Sequence, residues 1–168
     1  MDDPPLEVIH TPNPCDQHAS DCFPKDPFPF MWYYRTEVRN NTDVPLRVVS
    51  FEAYLRIGGR WMPRNVKNCI LDGDDFRQWY GGPDGEPASG PIPPRSSAVC
   101  QVNWHGTRAP WSPRCKWVYK AVDDQGNQLE AEAEVVAKMV RSAKALRWLA
   151  LRVVIAIGVI LLMLWRYT

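Results

Sequence analysis

The sequence predicts a mainly β protein: an antiparallel β-sandwich followed by a single C-terminal transmembrane α-helix. Three observations predict it. Alternating segments rich in aromatic and β-branched residues recur between turn signals from Tyr33 to Val135. Of those signals, Gly58-Gly59 marks a turn and Asp123-Asp124-Gln125-Gly126-Asn127 has the chemistry of a hairpin connection. The run from Val153 to Trp165 is unbroken apolar and is followed by Arg166, Tyr167 and Thr168. The chain divides accordingly into a proline-rich extended arm (1–31), a β-sandwich domain (32–136), a basic amphipathic juxtamembrane helix (137–147) and a transmembrane helix (148–166).

The arm carries Pro4, Pro5, Pro12, Pro14, Pro24, Pro27 and Pro29. Proline removes a backbone donor and fixes φ, so neither a helix nor a central strand is expected there. Phe23, Phe28, Phe30, Met31 and Trp32 are apolar anchors by which such an arm docks on its own domain or on another protein. Within the domain, Tyr33 to Asn40 alternates as a strand, Asn41 to Pro45 is a turn, and Leu46 to Ile57 is a long strand. Phe76 to Tyr80 is a short strand, and Gly81 to Pro94 a glycine- and proline-rich loop. In Ala98 to Trp104, one face holds Val99, Gln101 and Asn103 and the other Cys100, Val102 and Trp104. Lys116 to Val122 and Gln128 to Val135 flank the Asp123–Asn127 hairpin turn. About seven short strands over about 105 residues suit one sandwich with one core.

Charge orients the last segment. The 20 Lys and Arg nearly balance the 19 Asp and Glu, yet every acid precedes residue 135. Lys138, Arg141, Lys144, Arg147, Arg152 and Arg166 follow without an acid between them. Bases concentrated on the N-terminal side of an apolar run place the preceding domain in the cytoplasm by the positive-inside rule. Extended back to Trp148, the run is expected to cross a bacterial inner membrane as a single-pass tail anchor. Trp148 and Trp165 then sit at the interfaces, and Arg152 snorkels to the headgroups. Membrane lipid is an expected partner. Nucleic acid is not, because residues 1–137 carry net negative charge.

Catalytic chemistry is sparse. His10, Cys15, His18 and Cys22 are potential zinc ligands, but their spacing matches no tight knuckle, so no metal is expected. His105, in Asn103-Trp104-His105-Gly106, lacks a nearby nucleophile and reads as a turn histidine. Cys15, Cys22, Cys69, Cys100 and Cys115 are expected as reduced thiols in a cytoplasmic domain. Disulfides, with one cysteine left over, follow only if the topology is otherwise. Asp72, Asp74 and Asp75 lack the ligand alternation of a calcium loop and read as a solvated turn. The Gly81–Pro94 loop has no lysine to complete a phosphate cradle. No catalytic residue and no cofactor are expected. Tryptophan is the unusual component, at eight residues. Trp111 lies on a proline-bounded loop beside Arg108 and Arg114. That trio, with Phe28, Phe30 and Trp32, is the candidate partner interface.

Val38 to Leu55 (VRNNTDVPLRVVSFEAYL) leads through a Gly/Pro loop to Pro91 to Trp104 (PIPPRSSAVCQVNW). This succession resembles the cytoplasmic immunoglobulin-like sandwiches of the ApaG type. Those have a strand ending in Asn, a second strand, a glycine loop and an I-x-P-G lead-in to the next strand. Here Ile92-Pro93-Pro94-Arg95 departs at the glycine, and the glycine-rich phosphate-associated loop is not reproduced. The resemblance implies the fold and carries no function. The expected role is a non-catalytic accessory subunit of a multi-subunit integral-membrane complex, photosynthetic or respiratory by analogy. Its helix would pack beside the other subunits, and its domain and arm would clamp the cytoplasmic face. The alternative is a membrane-tethered ligand- or metal-binding domain or enzyme.

Overall fold

A computed structural model describes residues 3–20, 25, 28–82, 90–108, 113–138 and 143–166. Its strands are β1 (Leu6–Thr11), β2 (Cys15–Ala19), β3 (Phe30–Asn40), β4 (Arg47–Ile57), β5 (Arg60–Pro63), β6 (Leu71–Asp72), β7 (Ser96–Thr107), β8 (Arg114–Val122) and β9 (Gln128–Lys138). Its helices are α1 (Gly73–Trp79) and α2 (Ala143–Arg166).

One layer is centred on β3. It pairs antiparallel with β7 from Phe30↔Thr107 to Asn40↔Ser96, and with β1 and β2 on its other side. The second layer runs β9–β8–β4, with β5 and β6 on the outer side of β4. A short parallel pairing, Cys15↔Ala137 and Asp16↔Lys138, joins the layers. Side chains that meet without sharing a strand pair show the layers facing each other. Tyr34 on β3 accepts a hydrogen bond from the Trp117 indole on β8 at 2.7 Å.

The arm predicted over residues 1–31 is built into this sandwich. Leu6, Val8 and His10 alternate inward on β1, as do Cys15 and Gln17 on β2. Pro4, Pro5, Pro12 and Pro14 fall before and between these two strands, where a missing N–H breaks no ladder. Proline thus bounds the strands rather than preventing them. Phe23 and Cys22 lie outside the described residues.

Phe76 to Tyr80, predicted as a strand, is instead the end of the capped helix α1, with Tyr80 as its C-cap. Asp72 accepts the backbone N–H groups of Asp74 at 2.9 Å and Asp75 at 3.0 Å, while Asp75 reaches back to the N–H of Asp72. The acidic turn is therefore a capping box. Phe76 and Tyr80 then meet Phe51 on β4 edge-on, each at 5.9 Å between ring centres. Phe51 also stacks on Tyr119 at 5.6 Å and Trp117 at 5.8 Å, so one residue ties α1 to both β4 and β8. Each such side chain contributes roughly 1.5–3 kcal/mol by leaving water.

Asn40 explains why a strand of this fold ends in asparagine. It is fully buried, and its amide donates to the carbonyls of Val44, Ile92 and Pro93 at 2.8–3.0 Å. Its Oδ1 accepts from Thr42 N–H and Oγ1 at 2.9 and 2.7 Å. One side chain fastens the turn after β3 to the lead-in of β7. In that lead-in Arg95 has φ +52°, the left-handed region, at the position where the resembled motif has glycine.

The predicted transmembrane helix is not supported. Among the described residues no helix is long and apolar enough to cross a membrane. The uncharged run from Val153 to Trp165 holds 13 residues, about 20 Å of helix at ~1.5 Å per residue, against a hydrocarbon core of about 30 Å. Arg152 stops its extension toward Trp148. The anchor roles expected of Trp148, Arg152 and Trp165, the single-pass tail-anchored topology and the inner-membrane location fall with it. The fold is mainly β, with two helices.

Candidate functional site

The strand β7 turns out to be irregular where it matters. Its register against β3 shifts between Tyr34 and Thr36, which face Asn103 and Cys100 respectively. The extra residue resets the alternation. Cys100 points inward as expected, but Val102 is 66 % exposed, and Asn103, His105 and Thr107 turn into the sandwich. His105 is therefore a buried strand residue and not a turn histidine.

Two histidines sit in this interior, and their hydrogen bonds differ. His10 Nε2 lies 3.3 Å from the Ala133 carbonyl, which can only accept, so Nε2 carries the proton. Its Nδ1 then accepts from the Thr36 hydroxyl at 3.0 Å, and Thr36 accepts from the Asn103 amide at 2.9 Å. Both nitrogens of His10 are satisfied. For His105 the chain starts at Trp117, whose indole can only donate, to Tyr34 Oη at 2.7 Å. Tyr34 Oη lies 2.7 Å from His105 Nδ1 and 3.6 Å from Cys115 Sγ. The phenolic proton goes to the shorter contact and the stronger acceptor, the imidazole nitrogen. His105 is then protonated on Nε2, and that atom is buried with no partner.

Burial holds both rings neutral. Desolvation pushes His105 down to about 3, with His10 adding repulsion, and pushes His10 down to about 4 against the opposing bond to Ala133. The buried thiols are inert for the same reason. Burial raises Cys15 to about 11 and Cys115 further still.

His105 and Trp117 line a cavity of about 390 Å³, within the range of small-molecule sites. Trp104, Phe28, Pro63 and Val66 supply apolar wall. The segment after β5 closes one side because it is fastened to β4 at Ala53. The Arg64 N–H donates to the Ala53 carbonyl at 2.7 Å, and Asn65 Oδ1 accepts the Ala53 N–H at 2.7 Å. That bond uses the Asn65 oxygen and leaves its NH2 group to donate. Gly106 brings β7 close to Phe28. A Cβ on Gly106 would lie 2.7 Å from Phe28 Cβ, so only glycine permits this wall. The polar groups on the wall are Arg64, Asn65, Asn68 and His105, and among the described residues no Asp or Glu lines it.

The residues predicted as sites are dispersed. His10 and Cys15 are buried, and His18 faces out on β2 opposite Cys15. Among the described residues no group of three His, Cys, Asp or Glu side chains could hold a metal, and Cys22 lies outside them. Phe30 and Trp32 are core residues with no exposed surface, which removes them from the predicted partner interface, whereas Phe28 is 43 % exposed at the cavity. Arg108 is exposed, Arg114 pairs with Glu134, and Trp111 lies outside the described residues. Cys15, Cys69, Cys100 and Cys115 are free thiols. The cavity residues Arg64, Asn65 and His105 were not expected as a site. The available signal was the period-two polar triplet Asn103, His105 and Thr107 in a strand, which marks a buried hydrogen-bonded interior.

No family model matches the chain, and no curated protein does. Solved structures do. A protein from Bordetella pertussis described as ApaA matches with a TM-score of 0.52 and 15 % identity, over 82 % of this chain and 95 % of its own. The X-ray structure of a structural-genomics target matches with a TM-score of 0.55 and 12 % identity, over 82 % of this chain and 89 % of its own. The ApaG-type resemblance read from Val38 to Trp104 is thus present as a shared fold.

Proposed function

We propose that this chain is a non-catalytic binding module that admits one small organic ligand between its two β-layers. The observation that carries this reading is His105. Its ring is held in one tautomer by Tyr34 and Trp117, and its Nε2 is buried beside an aromatic-walled cavity without a protein partner. An unpaired buried donor costs roughly 1–3 kcal/mol, so a core selected for stability alone would not retain one. Catalysis is disfavoured by the same surroundings. The buried thiols are held in their unreactive protonated form, and His105 has no nucleophile to activate.

Fragment screening by ¹H–¹⁵N NMR on the full chain tests the proposal. Binding fragments are expected to shift the backbone resonances of Ala53, Asn65, His105 and the Trp117 indole together. Shifts scattered over the surface, or confined to other segments, would remove the cavity as the site.

A further inference from the structure

We propose that the inner face of the β4–β5 hairpin is a docking surface for an acidic amphipathic helix of another protein. This surface lies beside the cavity and needs no ligand in it. Strand pairing sets Ile57 opposite Arg60 and Leu55 opposite Met62. Directly paired residues share a face, and alternation along the chain puts Arg64 there as well. Leu55 is buried, so this face continues the core side of β4. Past Leu55 it emerges from the sandwich: Ile57, Met62 and Val66 are 45–54 % exposed. The segment is also strongly basic. From Ala53 to Leu71 the sequence has Arg56, Arg60, Arg64 and Lys67 and no acid, in a domain that is otherwise acidic. Lys67 is paired with Asp75, and Arg56 lies over the Trp61 ring at 5.9 Å. Arg60 and Arg64 have no ion pair among the described residues.

A base, an aliphatic side chain and a base thus alternate along one exposed face, as Arg60, Met62 and Arg64. Its complement presents apolar side chains flanked by carboxylates. That complement is not an added strand. The Arg64 N–H points to β4, where it bonds the Ala53 carbonyl, so the nitrogen of Pro63 points to the other edge of β5. Proline there removes a donor and blunts strand addition. A helix docks through its side chains and needs no edge. Among the described residues a second copy does not supply one: α1 has only seven residues, and α2 carries Lys144, Arg147, Arg152 and Arg166 without an acid. A nucleic acid would find two free cations, and the hairpin's indole, Trp61, faces the other way under Arg56 and Lys116. A bilayer would meet the hairpin tip, where Gly58 and Gly59 have no side chain to insert.

Fluorescence anisotropy on the full chain tests this with three labelled peptides of about four helical turns. The first has leucine at i, i+3, i+4 and i+7 and glutamate on the flanks of that stripe. The second carries lysine in place of glutamate, and the third has the residues of the first in scrambled order. The acidic helix is expected to bind about tenfold more tightly than either control, and to weaken as salt rises. Arg60→Glu should lower its affinity about tenfold and raise that of the lysine helix. Met62→Ser should lower it about fivefold. Both positions are exposed, so urea midpoints like the parent's are expected, and the peptide and salt comparisons on the parent chain decide the matter without either variant. Methyl resonances of Ile57, Met62 and Val66 should shift together on binding. No binding of the acidic helix, equal binding of the lysine or scrambled helix, or undiminished binding to Arg60→Glu would each overturn the proposal. So would tighter binding of poly-uridine RNA or of phosphatidylserine vesicles at the same residues.

Discussion

Acidification from pH 7 to pH 5 should destabilise this domain strongly, and two histidines account for it. In the unfolded chain a histidine titrates near 6.5. In the folded chain desolvation holds His105 at about 3, aided by repulsion from His10, and holds His10 at about 4. The folded values are depressed, so the unfolded state binds protons more readily through this window. The stability from keeping the rings neutral is whole above pH 7 and declines as the pH falls through 6.5. The decline stops only near pH 4 for His10 and pH 3 for His105, where the folded state also protonates. One pKa unit corresponds to about 1.4 kcal/mol. At pH 5 each site has lost about 2 kcal/mol, and the pair about 4 kcal/mol. That is a large part of the 5–15 kcal/mol typical of a whole domain. Carboxylates of the unfolded chain titrate near 4, below this window, so they do not obscure it.

Urea denaturation at pH 7, 6 and 5 measures the effect. With a slope of about 1–3 kcal/mol per molar urea, the midpoint should fall by about 1.3–4 M over these two pH units. Imidazole carbon resonances followed in parallel should show His10 and His105 unprotonated at pH 5 in the folded state. A midpoint unchanged to within about 0.3 M, or His10 and His105 titrating near 6.5 in the folded chain, would refute the burial argument and with it the neutral Nε2–H of His105.

Substitutions at four positions probe the remaining construction. Tyr34→Phe leaves the Trp117 N–H and His105 Nδ1 buried without partners, and should cost about 2–4 kcal/mol by denaturation; a cost below about 0.5 kcal/mol would place the proton chain elsewhere. Asp72→Ala removes the cap of α1 and should cost about 0.5–2 kcal/mol, with faster hydrogen exchange at the amides of Asp74 and Asp75 as its local signature. Gly106→Ala forces Phe28 away from the cavity wall, and should cost about 1–3 kcal/mol and alter tryptophan fluorescence. Arg95→Gly relieves a left-handed φ but surrenders an exposed ion pair with Asp43, so its stability should stay within about 1 kcal/mol of the parent, while Arg95→Asn, which tolerates that φ, should behave alike.

The strands that bury one face were legible in the sequence because period-two alternation is a local property. Tyr33 to Asn40 and Lys116 to Val122 fall within observed strands, Leu46 to Ile57 matches β4 but for its first residue, and the Asp123 to Asn127 turn is where the second hairpin closes. Phe76 to Tyr80 misled because five aromatic and polar residues fit either period. The deciding information lay upstream, in the capping pair Asp72 and Asp75. The proline arm misled differently. Proline density was read as a property of the whole segment, whereas the four prolines among residues 3–20 sit in the gaps and leave Leu6, Val8 and His10 free to alternate. The terminal apolar run was read by composition, when the decisive quantity was the length between Arg152 and Arg166.

The cavity was the least legible part, and the reason is physical. Its lining comes from β4, the segment after β5, β7 and β8, which no single window spans. Its central group depends on a register shift opposite Tyr34 that inverts the face of every later residue in β7. With regular alternation from Cys100, His105 would point to solvent and Trp104 into the core. The shift exchanges them, placing a titratable ring where an indole was expected and an indole at the cavity wall. The sandwich still forms, because Trp32 on the neighbouring strand β3 and Trp117 on β8 of the facing layer pack around the ring at 5.6 and 5.4 Å. The core thus accepts a histidine that local hydrophobic patterning would exclude. It is hydrogen-bonded on one side by the Tyr34 hydroxyl and buried without a protein partner on the other. A buried polar group retained in that half-satisfied state is a poor choice for stability alone. Its place in the fold is better accounted for by what its free donor can bind.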